Sequence, residues 1–109
     1  MVRTTARVCL LVCLIGLSCS SWRAARLYQD GTASLDQGDT AQAVNDLEQA
    51  ARLAPGASEV RNHLGLAYWA AGNRSAARWS FEQAIALDCD NRAARRNLHR
   101  ISLELAEEP

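Results

Sequence analysis

The sequence has no lysine: all twelve of its basic side chains are arginine, set against twelve acidic ones. Usage this one-sided reads as the coding bias of a GC-rich genome before it reads as chemistry. The formal net charge is zero, so no global field draws the chain towards nucleic acid or anionic lipid, and no nucleic-acid partner is expected. Valine, isoleucine, tyrosine and phenylalanine are sparse beyond the first twenty residues while alanine is abundant, which favours helices over strands. Histidine is scarce too, with only His63 and His99, and no pair of ligand-type residues stands at metal spacing. No glycine-rich phosphate loop follows a strand. The carboxylates are scattered over helix positions that face solvent, with no evident site that would raise a pKa for acid–base work. No enzyme, no metal and no cofactor are therefore expected. With 109 residues, 49% of them hydrophobic and 22% charged, the chain has room for one domain and is too apolar for wholesale disorder.

No acidic residue precedes Asp30, whereas Arg3 and Arg7 lie in the first stretch. Val8–Leu17 is an almost unbroken apolar run, followed by Ser18, Cys19, Ser20 and Ser21. A basic start, a short apolar run and small residues predict a secretory signal peptide over residues 1–18. The run is about half of the roughly 20 residues that a membrane-spanning helix needs. An organellar transit peptide shares the arginines but is amphipathic, and this run is apolar on every side. Ile15-Gly16-Leu17-Ser18-Cys19 resembles a bacterial lipobox, in which the cysteine becomes the lipidated first residue. Ser18, Ser20 and Ser21 suit it; Gly16 departs from it, because an aliphatic residue is usual there. The alternative is ordinary cleavage near Ser20. Cys9 and Cys13 would leave with the signal peptide, so Cys19 and Cys89 make no disulfide framework, and Cys89 is expected as a half-buried residue in a turn.

Set at an offset of 34 residues, Ala24–Ala57 lies over Ser58–Asn91 without a gap. Gly31 falls on Gly65, Gly38 on Gly72, Ala43 on Ala77, Leu47 on Phe81, Ala50 on Ala84 and Leu53 on Leu87. Each unit predicts helix, tight turn, helix. Gly65 in mid-helix costs about 1 kcal/mol against alanine, which is tolerable where a neighbouring helix must approach its backbone. Leu64, Tyr68, Phe81 and Leu87 are expected to fill the space between the paired helices. Gly38 and Gly72 end first helices, and Asp39 and Asn73 cap second ones, Asp39 with Gln42 as a capping box. Five helices follow, at about 21–37, 40–53, 58–71, 74–87 and 92–106.

These residues carry a resemblance to the tetratricopeptide repeat family. The second unit, 58–91, has Leu64-Gly65, Tyr68, Gly72, Ala77, Phe81, Ala84, Leu87 and Asp88 at signature places, with Arg61 for the first aromatic and Cys89 for the usual proline. The first, 24–57, is degenerate: Gly31, Gly38, Ala43, Leu47, Ala50 and Pro55 fit, but Asp30 and Ser34 do not. The resemblance implies an all-α fold, a short right-handed α-solenoid of two helix-turn-helix repeats. Residues 19–23 would be a tether, 92–106 a capping helix with Leu98 and Ile101 inward and Arg92, Arg95, Arg96, Arg100 and the glutamate tail outward, and 107–109 a tail.

In this family the first helices of successive units line a groove for an extended peptide or a helix. The resemblance places Tyr28, Thr32 and Leu35 there from the first unit, and Asn62, His63, Leu66 and Trp69 from the second. Arg96 and Arg100 come from the closing helix. Trp69 is either an anchor in that groove or packed beneath the next helix; the arginine cluster is either a solvated face with local ion pairs or a contact for an acidic partner. The fixed Lys/Arg and Asn set that grips chaperone C-termini is replaced by Tyr28, Thr32 and Ala93, so no chaperone tail is expected. The expected function is a non-catalytic protein–protein interaction module, an adaptor or scaffold anchored by lipidated Cys19 on the periplasmic side of a bacterial membrane. The alternative is a soluble exported or organellar repeat protein with a structural, oligomer-forming role. Two and a half units are few for a stack, so a homo-oligomer or docking on a larger complex is expected.

Overall fold

The computed structural model describes the backbone of residues 2–109 and the side chains of residues 19–109. The side chains of the expected signal peptide, residues 1–18, lie outside the described residues. Five helices follow one another: α1 (Val2–Asp36), α2 (Thr40–Leu53), α3 (Ser58–Ala70), α4 (Arg74–Leu87) and α5 (Arg92–Glu107). There is no strand among the described residues. α1 packs on α2 and α3 on α4 as antiparallel pairs; α2 then meets α3, and α4 meets α5. α1, α3 and α5 touch in succession and form one layer, with α2 and α4 behind them. The architecture is an all-α repeat stack.

From Thr40 onward the helices start and stop within a residue or so of the expected places. α1 differs, because it is continuous from Val2 and so includes residues 19–23, the expected tether. Its inward stripe is Ala24, Leu27, Tyr28, Gly31 and Leu35, each buried or half-buried, the three-and-four spacing of one helix face.

The turns within units are alike. Gly38 has φ 81° and Gly72 φ 84°, a backbone region that other residues seldom adopt. The amide after each reaches back into the last turn, Asp39 N–H to the Ser34 carbonyl at 2.9 Å and Asn73 N–H to Tyr68 at 2.9 Å, a Schellman closure. Asp39 and Asn73 then accept from the amides of Gln42 and Ala76, both at 3.1 Å. Only half of the expected capping box forms. Gln42 turns its amide to Asp46, 2.9 Å away on its own helix, which competes with the reach back to Asp39.

Two apolar clusters fill the stack. The first joins Ala43, Leu47, Ala50 and Ala51 to Val60, Leu64 and Ala67, with Leu27 and Leu35 against it. The second joins Ala77, Phe81 and Ile101, with Trp69, Leu98 and Leu105. A Cβ on Gly31 would lie 2.7 Å from Leu47 Cγ, and one on Gly65 2.5 Å from Phe81 Cε1, so both glycines admit a large side chain from the second helix of their unit. Leu87 does not join this core as expected. It is 44% exposed, at the end of α4, where the next unit has one helix to lay over it. Ser80 is buried instead, its hydroxyl donating to the Ala76 carbonyl at 2.9 Å. Between units, Asn91 caps α5 through Oδ1, 3.0 Å from the Ala94 amide, and donates to Ser58 Oγ at 2.8 Å; Ser58 donates on to the Ala84 carbonyl at 2.8 Å. Three helix ends are thereby tied at one point.

Candidate interaction face

The 34-residue repeat puts Tyr28, Asn62 and Arg96 at equivalent places on α1, α3 and α5, and likewise Thr32, Leu66 and Arg100. Leu35 and Trp69 form a further equivalent pair, and His63 adjoins Asn62. All stand on the layer made by the first helices.

Neighbouring helices of this layer hold one another through polar pairs 35 residues apart. Tyr28 Oη lies 3.2 Å from His63 Nδ1 with the rings edge-to-face, centroids 5.2 Å apart. The same nitrogen is 3.1 Å from the Glu59 carbonyl oxygen. Burial, and then the Glu59 charge, push the Tyr28 phenol pKa upward. Asn97 Nδ2 donates to Asn62 Oδ1 at 3.0 Å, and Asn62 is buried. Trp69 Nε1 donates to Glu104 Oε2 at 2.9 Å. Asn62 and His63 are therefore engaged between helices.

The structure brings Leu66, Trp69 and Arg100 together. With Ala70 they line an open hollow of about 410 Å³. The Trp69 ring is edge-on to buried Phe81 at 6.2 Å, and the Arg100 guanidinium stands 5.1 Å from its centroid, a cation–π contact. Trp69 thus faces both ways: one edge packs in the core and one face borders the hollow. Thr32 turns its hydroxyl onto the Gln29 carbonyl at 3.0 Å, and Leu35 packs against the first core cluster. Arg96 is exposed. Among the described residues no ion pair engages Arg92, Arg95 or Arg96.

The glutamates at the end of α5 are not a free outer fringe, as expected. Glu104 lies 3.5 Å from Arg74 Nε, and Glu108 pairs with the same guanidinium. Both fold back onto Arg74 in α4's first turn, and Glu104 also accepts from Trp69 Nε1. Trp79 is 53% exposed with the Arg61 guanidinium 5.9 Å from its ring, so Arg61 replaces the repeat's first aromatic yet still meets one. Cys89 is exposed rather than half-buried, and Cys19 is exposed. Among the described residues no three His, Cys, Asp or Glu side chains gather as a metal site would, and no helix is long and apolar enough to cross a membrane.

Behind this face Tyr68 donates a hydrogen bond to Glu48. Burial, and then that carboxylate, push the Tyr68 pKa from 10.0 up to about 12. The unfolded chain releases this proton first. Stability linked to the contact is whole below pH 10 and is lost as pH climbs towards 12. Urea midpoints measured through this window should fall more steeply for the native chain than for Tyr68→Phe; parallel curves would contradict the linkage.

A model of the tetratricopeptide repeat family matches residues 34–79. A TPR repeat-containing protein of Pseudomonas aeruginosa is 41% identical over 62% of this chain. Cellulose synthase operon protein C of Escherichia coli K12 is 40% identical over 60% of it. The chain spans 28% and 6% of the lengths of these two relatives. Among solved structures, the first TPR domain of the human RPAP3 protein superposes with a TM-score of 0.75 at 22% identity, covering 85% of this chain and 73% of that one. Paired helices at a 34-residue period, glycines where the partner helix presses in, and these likenesses agree: residues 34–79 match the tetratricopeptide repeat family, and the stack built around them has its fold.

Proposed function

We propose that this chain is a non-catalytic adaptor that receives a peptide or helix of a partner protein on the α1–α3–α5 face. The observation that carries this is the hollow beside Trp69. It combines an apolar wall, a half-buried tryptophan and an arginine, the side chains that dominate binding energy at protein interfaces. An apolar partner side chain would lie against Leu66 and Trp69, and an acidic one would meet Arg100 or Arg96. We propose further that lipidation of Cys19 hangs the domain on the periplasmic side of a bacterial membrane, within an envelope assembly. The lipobox-like run, the exposed Cys19 and the bacterial origin of the two curated relatives support that placement.

Photo-crosslinking in cells tests the face. A crosslinker at Ala70, exposed beside the hollow, should give a discrete adduct that one at Ala86, exposed on α4, does not. No adduct from Ala70, or the same adduct from both, would count against the groove. Cys19→Ala tests the anchor separately: the variant should leave the membrane fraction and take up no labelled fatty acid. Retention with the membrane would sink lipidation and leave the groove standing.

A further inference from the structure

The first described turns of α1 turn one face to the stack and the other to solvent. Ala24, Leu27 and Tyr28 turn inward, whereas Cys19, Trp22, Arg23 and Arg26 are exposed. Trp22, at 67%, is more exposed than Trp79, Leu87 or Leu103. Cys19, Trp22 and Arg26 recur at intervals of three and four and so share one helix face. The Arg26 guanidinium lies 5.8 Å from the Trp22 centroid, and its Nε is 3.9 Å from Asp30. Among the described residues only Arg26 meets this ring, so packing in the stack gives no reason for its size.

An exposed tryptophan flanked by arginines suits the boundary between bilayer and water. The ring sits at headgroup level, while arginine stems lie along the apolar side and their charges meet phosphate. The distances agree. At about 1.5 Å of rise per residue, Trp22 lies about 4–5 Å beyond Cys19 and about 7–8 Å beyond Leu17, where the apolar run ends. An acyl chain on Cys19 or the apolar run itself would bring the ring to the headgroups. No acidic side chain before Asp30 opposes an anionic surface.

We propose that Trp22, Arg23 and Arg26 form an interfacial contact with anionic lipid headgroups, which sets α1 upright on the bilayer. α3 runs parallel to α1 with Trp69 at the level of Leu35, about 20 Å further along by helical rise. The contact therefore holds the hollow away from the membrane, open to a partner. This rests on the membrane-attached placement proposed above.

The full chain, reconstituted in phosphatidylglycerol–phosphatidylethanolamine vesicles, tests it. Subtracting the emission of the Trp22→Phe variant isolates Trp22. Its emission should be blue-shifted and quenched by lipids brominated near the headgroup. In anionic vesicles the Arg23→Gln/Arg26→Gln variant should lose quenching, each arginine contributing about fivefold to the docked ratio; in phosphatidylcholine vesicles it should match the native chain. A chain that floats with the vesicles while Trp22 stays water-exposed and unquenched overturns the contact alone. A chain that does not float overturns the membrane placement, and the contact with it.

Discussion

Phe81→Ala is expected to lower the free energy of unfolding by about 3–5 kcal/mol. Phe81 is fully buried and the largest such side chain. It enters the gap left by Gly65 on α3, lies edge-on to Trp69, and shares its cluster with Ala77 of α4 and Ile101 of α5. Three helices therefore lose contacts at once, and the surrounding small residues cannot close the cavity. Domains of this kind are stable by about 5–15 kcal/mol, the smaller ones by less, so the loss is a large share of the whole. Urea unfolding followed by circular dichroism gives the size. Tryptophan fluorescence, read in parallel, should change at the same denaturant concentration if unfolding is two-state. Trp79→Ala on the same helix, at a site 53% exposed, should cost less than about 1 kcal/mol. Equal losses at 79 and 81 would mean that α4 is turned the wrong way.

The repeat made the fold legible because it repeats contacts, and a contact made twice leaves two matched traces. Gly31 with Leu47 and Gly65 with Phe81 are the same approach in two units, and Gly38 and Gly72 the same turn. The start of α1 was not legible. The change from apolar to polar sequence near residue 20 marks a change of surroundings, but both stretches form helix readily, so the backbone does not break there. Nor was the engagement of Asn62, His63 and Glu104. Side-chain type places a residue on the groove face; whether it is free depends on what the next first helix presents one turn away. That partner lies at 35 residues in every case, as Tyr28 with His63, Asn62 with Asn97 and Trp69 with Glu104 show. A search at the repeat length plus one would have paired them. Tethering of the tail to Arg74 escaped for the same reason, since Glu108 lies 34 residues further along.

Gly65→Val is expected to destabilise by about 1–3 kcal/mol through overpacking, although valine is the better helix former by a few tenths of a kcal/mol. The two effects oppose each other, and geometry decides the sign. The first carbon added at Gly65 would meet Phe81 Cε1 at 2.5 Å, Cδ1 at 2.6 Å and Cζ at 2.9 Å. No rotation relieves three ring atoms together, because Phe81 is itself enclosed. The helices must part, and that opens the Trp69 edge contact as well. Gly65→Ala should show the same sign in milder form, its gain of about 1 kcal/mol in helix propensity offsetting part of the clash. Gly56→Ala is the control: nothing lies within 4 Å of its added carbon and its backbone is not left-handed, so stability should hold or rise slightly. Gly72→Ala separates a third cause, open space around a φ of +84°, where the loss comes from backbone strain of about 1–2 kcal/mol. Thermal or urea midpoints for the four variants rank these causes. A Gly65→Val chain as stable as the native one would show that α3 and α4 do not meet at this point.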